Sequence, residues 1–390
     1  MKLYKSVKEN EVYYYFNSNN EKLWMFRHKY YDSTGKRKEK KKSGFQTEKA
    51  AIKALLEVKA QTLRGETKQL DYEKITVGEW LDIWYETNCS KWKVTTKIQR
   101  LGIIKNYLKP YVGHHKLQKL DRIIYQKSFI NKLEGKFKAS TIRLWHTIFK
   151  IAINAAVDAE ILSRNRFNRI ALPADSDKES LNYFTSDELA TFLNDIQKNE
   201  SLTNYMYFLV AAYTGMRKGE ICGLQWKNIN FNNQTVTIER TRDHKGIRLP
   251  KTKNSYRTIL IDTDVMKQLE HYKTCCKEKL FSYGKKLNSD TFVFINDDAV
   301  PIFSNSPNHI LKKSLKRTGL PKITVHGLRH THCTLLLNEG RDAKVISERL
   351  GNTPEMIYKV YGHIMKQMEV DLVTAFSQSL EASGAKIGAN

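Results

Sequence analysis

The chain has 390 residues, 41% of them hydrophobic and 11% aromatic, and a formal net charge of +25. That length exceeds one ordinary domain, and the apolar content is enough to bury cores, which excludes a disordered chain. The basic excess points to a polyanionic partner, nucleic acid before any other, with general solubility charge as the competing explanation.

Five cysteines (Cys89, Cys222, Cys275, Cys276 and Cys333) form no CxxC pair, and their number is odd, so neither a disulfide framework nor a structural zinc site is expected. No stretch reaches the roughly 20 apolar residues of a membrane span, and the first residues do not read as a secretory leader. A cytoplasmic protein with no membrane partner is expected.

Residues 12–16 (VYYYF) and 23–31 (LWMFRHKYY) are aromatic, β-favouring runs separated by the turn signal NSNN. A second turn, DSTG, leads into a basic run containing Lys36, Arg37, Lys38, Lys40, Lys41 and Lys42. Thr47 then opens an amphipathic helical pattern as its N-cap. Residues 1–65 therefore predict a three-stranded antiparallel sheet with one helix packed on it, carrying a net charge of +9. A basic, aromatic sheet of this kind fits a DNA groove, with those six residues as contacts; the alternative is a solvated hairpin whose lysine-rich edge blocks aggregation.

Residues 66–75 read as a linker. A helical domain is predicted over 76–170, opening at Thr76, with further helical patterns at 95–107, 123–133 and 140–159. The last has an apolar stripe at three-to-four-residue spacing, so Trp145, Ile148 and Ile151 are expected to pack. Arg143 and Lys150 lie off the stripe and are candidate phosphate contacts. The polar stretch 171–181 reads as a second linker. A third domain spans 181–385; its TSDE at 185–188 is a capping pattern, and 236–239, 245–249 and 256–261 are strand-like. The fold class is α+β: multidomain and mainly helical, with a small sheet at the N-terminus and another in the last domain.

Four pieces of that last domain carry chemistry. TGMRKGE (214–220) sets Arg217 beside a glycine turn, and arginine suits two-pronged contact with phosphate. PKTKNSYRT (250–258) places Lys253 before a predicted Asn254–Ser255 turn, at the tip of a hairpin. HGLRHTH (326–332) puts His326 and Arg329 three apart, on one helical face. LGNTPEMIYKVYGH (350–363) holds Tyr358 and Tyr361. Singly, each piece reads more simply as surface charge or packing. Together, two arginines, a histidine, a lysine and a tyrosine suit metal-free phosphodiester transfer. The arginines can neutralise the transition state's extra charge, and a tyrosine hydroxyl, with its pKa near 10, needs a base or cations to attack. His326 can move that proton, and Lys253 can protonate a departing 5′ oxygen. The histidines lack the glutamate of zinc proteases, and there is no Walker motif or magnesium-type carboxylate cluster, so no metal or cofactor is expected.

In order and approximate spacing these four motifs resemble the tyrosine recombinases, most of all phage and conjugative-transposon integrases. The resemblance covers nearly the whole chain and implies an arm-type DNA-binding domain at 1–65, a SAM-like core-binding domain at 76–170 and a catalytic domain at 181–385 with a tail helix. It implies Arg217, Lys253, His326, Arg329 and Tyr361 as catalytic residues and Glu220 as the support of Arg217. Tyr361 is preferred to Tyr358 because Tyr361-Gly362-His363 matches the family's YxH context. Asn352 stands where the family has a second histidine; it can donate a hydrogen bond but carries no charge. The resemblance further implies site-specific recombination through a 3′-phosphotyrosyl intermediate on double-stranded DNA with core and arm-type sites. It also implies a homotetramer on a Holliday junction, an accessory bending or excision factor, and a tail around 367–382 that packs on a neighbouring protomer. The alternatives are relaxation of the type IB topoisomerase kind and a DNA-binding protein with weakened catalysis.

Overall fold

The computed structural model describes residues 2–32, 34–174, 182–250, 253–360 and 376–378. They fall into two compact units, Met1–Asp177 and Lys178–Asn390.

The first unit opens with β1 (Tyr4–Lys5), β2 (Val12–Phe16), β3 (Lys22–Tyr31) and β4 (Arg37–Phe45), an antiparallel sheet in sequential order. One strand more than predicted is present, because two residues at the start pair with Tyr13 and Tyr14. Helix α1 (Glu48–Leu63), capped by the Thr47 hydroxyl, packs Ala51, Leu55 and Val58 onto Val12, Phe26 and Tyr30.

Side chains alternate across a strand, so the basic run divides between two faces. Lys38, Lys40 and Lys42 lie opposite Tyr30, His28 and Phe26, on the helix side. Lys38 is 2.5 Å from Asp71, and Lys40 pairs with Glu73. Arg37 and Lys41 lie opposite Tyr31 and Arg27, on the other face, and both are exposed. Lys36 is exposed in the turn before β4.

The segment read as a linker contains a short helix, α2 (Thr67–Asp71), whose Leu70 joins the sheet core. The helical part follows. Helix α3 (Val77–Asn88) has Thr76 and Glu79 satisfying each other's backbone N–H groups. Helix α4 (Val94–Ile103) runs through a wide π turn into α5 (Lys109–Val112), where Pro110 has no N–H to continue the ladder. Helices α6 (Arg122–Tyr125) and α7 (Asn131–Leu133) are likewise joined by a π turn.

The long α8 (Ala139–Asp158) closes the core: Tyr125 stacks on Phe149 at 4.6 Å, and the Trp80 indole donates to Ala152 O at 2.8 Å. Trp145 and Ile148 are buried as expected, but Ile151 is 39% exposed, one step past the buried stripe. Arg143 does not project freely towards a ligand: its Nη1 donates to Pro173 O at 3.1 Å. Lys150 is half-buried.

The second unit is built around α10 (Leu202–Thr214), a helix apolar on nearly every side and therefore enclosed. It is surrounded by α9 (Ser186–Asn199), α12 (Thr263–Ser282) and α14 (Val325–Asn338). Short α11 (Lys218–Cys222) follows α10 directly. Strands β5 (Ile229–Asn230), β6 (Thr235–Ile238) and β9 (Arg257–Leu260) form one antiparallel sheet; β7 (Thr241–Asp243) and β8 (Gly246–Arg248) form a separate hairpin. Helices α13 (Ser306–Thr318) and α15 (Ala343–Leu350) complete the unit, and residues 354–360 are helical. Among the described residues no helix is long and apolar enough to cross a membrane.

Candidate active site

Three helix ends converge in the second unit. Helix α10 stops at Gly215, in the left-handed region at φ 60°; a Cβ there would lie 2.5 Å from Leu350 Cδ2 and 2.9 Å from His332 Cδ2. Only glycine satisfies both demands. Two residues on, Arg217 is the N-cap of α11. The Glu220 carboxylate accepts from Arg217's own backbone N–H at 3.0 Å and from its Nη1 at 2.9 Å. The spacing RKGE thus fixes both the start of a helix and the direction of a guanidinium.

Helix α14 supplies the second arginine. The Thr324 hydroxyl caps it, and Arg329, 3% exposed, donates through Nη1 to Gly215 O at 2.9 Å. His326, one turn earlier on the same face, meets His330 edge-on at 4.9 Å between ring centres. Desolvation, with the positive surroundings of His330, Arg329 and Arg217, pushes the His326 pKa down to about 4. The residue as a whole remains exposed, so water screens this shift, but its direction leaves the imidazole neutral at pH 7.

The third end is that of α15, closed by Gly351 at φ 66°. Arg217 Nη2 donates to Gly351 O at 3.1 Å and to Asn352 Oδ1 at 2.6 Å. Asn352 was expected to act as a hydrogen-bond donor to phosphate; in the structure its oxygen is engaged as an acceptor for Arg217. A carboxamide held in this way turns its Nδ2, the donor, to the other side.

Arg217, Glu220, His326, Arg329 and Asn352 are therefore brought together. The Lys253 backbone begins a single 3-10 turn, Lys253–Ser255, and is not at a hairpin tip: β8 before it pairs with β7, and β9 after it pairs with β6. Its turn does approach the site, because a Cβ on Gly351 would lie 2.6 Å from Asn254 O. Tyr361 lies outside the described residues, as does the tail segment apart from 376–378; Tyr358 is 52% exposed.

Three groups take on roles that the sequence reading did not foresee. Arg257 lies 3.0 Å from Glu220, with the two side chains 6% and 4% exposed. Burial alone would raise the Glu220 pKa; the hydrogen bonds and charges of Arg257 and Arg217 outweigh it, and the net shift is downward. Arg349 donates to Leu260 O, to Tyr213 O and to His332 Nε2, while the other ring nitrogen of His332 meets Ala212 O at 2.9 Å. The available signal was β-phase: Arg257 shares the inward face of β9 with Ile259, and an inward arginine requires a carboxylate.

Comparison with known proteins decides the family. Residues 182–368 match the phage integrase family, 4–62 an arm DNA-binding domain, and 76–134 the N-terminal SAM-like domain of phage integrases. The chain belongs to the phage integrase family of tyrosine recombinases. This recombinase is 27% identical over 330 residues to a XerC-like tyrosine recombinase of Caldanaerobacter subterraneus, spanning 78% of this chain and 83% of that one. It is 27% identical over 267 residues to the ICEBs1 integrase of Bacillus subtilis, spanning 67% and 69%. Its fold resembles that of the Tn1549 transposon integrase, with a TM-score of 0.66 and 21% identity over 76% of this chain and 99% of that one.

Two predictions follow from the geometry. Gly351→Ala is expected to cost about 2 kcal/mol or more, from positive φ and the clash with Asn254 O and Arg257, as measured by chemical denaturation.

The second concerns pH. Burial and Arg349 hold His332 at about 4, and burial and Lys150 hold His146 at about 4. The unfolded residues protonate near 6.5, so between pH 6.5 and 4 the unfolded state binds more protons and stability falls as pH drops. Each histidine should cost about 1 kcal/mol between pH 6.5 and 5.5. Equal stability at those two pH values, after His332→Gln and His146→Gln controls, would contradict the assignment.

Proposed function

We propose that this recombinase performs site-specific integration and excision of a mobile element. It would cut and rejoin double-stranded DNA at core sites while its N-terminal module holds arm-type sites. The observation that carries this reading is the convergence of Arg217, His326, Asn352 and Arg329 at one face, where His326 is exposed, Arg217 and Asn352 are half-buried, and Arg329 and Glu220 are buried. Such a face has strong donors and a net positive charge. It suits a phosphate that gains charge as it becomes five-coordinate, and it uses preorganised groups to stabilise that charge.

In the proposed sequence, the Tyr361 oxygen attacks phosphorus and the bond to the 5′ oxygen breaks. The phosphate becomes esterified to Tyr361 through its 3′ side. Neutral His326 is suited to take up the tyrosine proton, and Lys253 supplies a proton to the departing oxygen. Asn352 Nδ2 adds one donor to a non-bridging oxygen. The freed 5′ hydroxyl of a partner strand then reverses the step, so the phosphodiester bond energy is conserved. Four protomers on two duplexes, with an accessory bending or excision factor, complete the reading. It is supported by fold neighbours: the Tn1549 integrase was solved with transposon right-end DNA, and lambda integrase as a tetramer bound to a Holliday junction.

The chemical test is a denaturant-resistant adduct with DNA that flanks the chain's own gene. It should form with the natural chain and vanish with Tyr361→Phe; an adduct that persists would move the nucleophile to Tyr358. Supercoil relaxation without joining of two marked sites would indicate a topoisomerase instead.

The N-terminal module gives a separate test, because only part of its basic run faces outward. Arg37→Ala with Lys41→Ala should weaken binding of the isolated chain to arm-type duplex, and should lower the slope of log K against log salt by about 2. Lys38→Ala, which removes a partner of Asp71, should leave the slope unchanged. Equal effects from both sets would return the whole run to the DNA face.

A further inference from the structure

We propose that Arg257 is a positioning residue of the strand-cleavage site, joining the carboxylate behind Arg217, the turn that begins at Lys253 and the loop of Asn352 into one block. This rests on the recombinase reading above.

The donors of this one guanidinium are spent on three separate pieces of chain. Nη2 donates to Glu220 Oε2 at 3.0 Å, and Nη1 reaches Glu220 Oε1 at 3.3 Å. Nη1 also donates to Ser255 O at 3.2 Å, in the turn that Lys253 begins. Nε donates to Arg349 O at 2.7 Å, two residues before Gly351. At Gly351 itself an added Cβ would lie 2.9 Å from Arg257 Nη1, so the two are packed with no room for a side chain between them. Gly351 O and Asn352 Oδ1 in turn hold Arg217 Nη2. The circuit closes: Arg257 sets Glu220 from one side and the Gly351–Asn352 loop from the other, and both grip Arg217.

A buried ion pair is a poor source of stability, since desolvation offsets much of the attraction and an apolar pair of equal volume would serve as well. What the charged version adds is direction. The planar fork of arginine places four acceptors at fixed angles, and lysine, with the same charge on a compact ammonium, does not. Displacing a reacting group by about 1 Å costs on the order of 100-fold in rate.

The experiment uses the full chain and a duplex from the DNA flanking its gene, nicked to trap the covalent product. It compares single-turnover adduct formation and DNA affinity for the natural chain, Arg257→Lys, Arg217→Lys and the double variant. Leu280→Ala, in the core at the end of α12, is the destabilised control; all are assayed below their unfolding temperatures. Arg257→Lys should slow adduct formation by about 100-fold while DNA affinity changes less than threefold. The double variant should be no slower than Arg217→Lys, because both changes disable the same guanidinium. Leu280→Ala should keep its rate within threefold at an equal loss of unfolding temperature.

Three results would overturn the inference: Arg257→Lys within threefold of the natural chain, a double variant slowed by the product of the two single effects, or a control slowed as much as Arg257→Lys. If Arg257→Lys does not fold, Arg257→Gln is measured in the same set against the same three criteria. A natural chain that makes no adduct overturns the parent reading instead.

Discussion

The buried carboxylate of Glu220 is the constraint on which the second unit depends. At 4% exposure it has left water, and an isolated carboxylate there would protonate or unfold its surroundings. Arg217 on one side and Arg257 on the other keep it charged. Because the two guanidinium groups share one anion, the trio keeps one net positive charge, and the exposed member of the trio is Arg217. The fold therefore hides the counter-ion and shows the cation.

Three arginines this close would repel one another if Glu220 were their only relief. The structure supplies the rest from backbone carbonyls at helix C-termini. Gly215 O, at the end of α10, receives Arg329; Arg349 O and Gly351 O, at the end of α15, receive Arg257 and Arg217. The last carbonyls of a helix lack intrahelical partners and carry the negative end of its dipole, so cations are stabilised there. Both helices stop on a left-handed glycine, and that stop is what turns the carbonyls towards the arginines. Desolvation first, and the same positive surroundings second, lower the His326 pKa, so one arrangement sets both the charge of the cluster and the protonation state of its neighbour.

Local rules made some of this legible in the sequence and concealed the rest. Thr47, Thr76 and Thr185 each cap the helix they were read to open, because capping is decided within four residues. The three-residue spacing of His326 and Arg329 likewise needs only one helix. Strand partners are a different matter. The runs on either side of Lys253 read as a hairpin because they follow one another, yet β8 turns back to β7 and β9 reaches across to β6. Periodicity identifies strands but does not pair them. Arg257 was hidden for the same reason: its role depends on Glu220, 37 residues away in sequence, and only the register of β9 reveals that it points inward. In the N-terminal module net charge did not show how the basic run divides, since the alternation of β4 sends Lys38 and Lys40 to carboxylates of the same unit.

Asn352 illustrates how a neutral residue can be the more selective choice beside an arginine. A carboxamide has distinct ends: its oxygen faces Arg217, so its nitrogen is directed away, and this polarity is independent of pH. An imidazole in the same place would have to accept from Arg217 through an unprotonated nitrogen, and protonation would replace that attraction with repulsion. Next to a cluster where burial, with the neighbouring charge, already suppresses protonation of His326 and His330, a second titrating ring would make the geometry of Arg217 depend further on pH. Asparagine gives up one potential positive charge and in exchange holds the orientation of the Arg217 guanidinium.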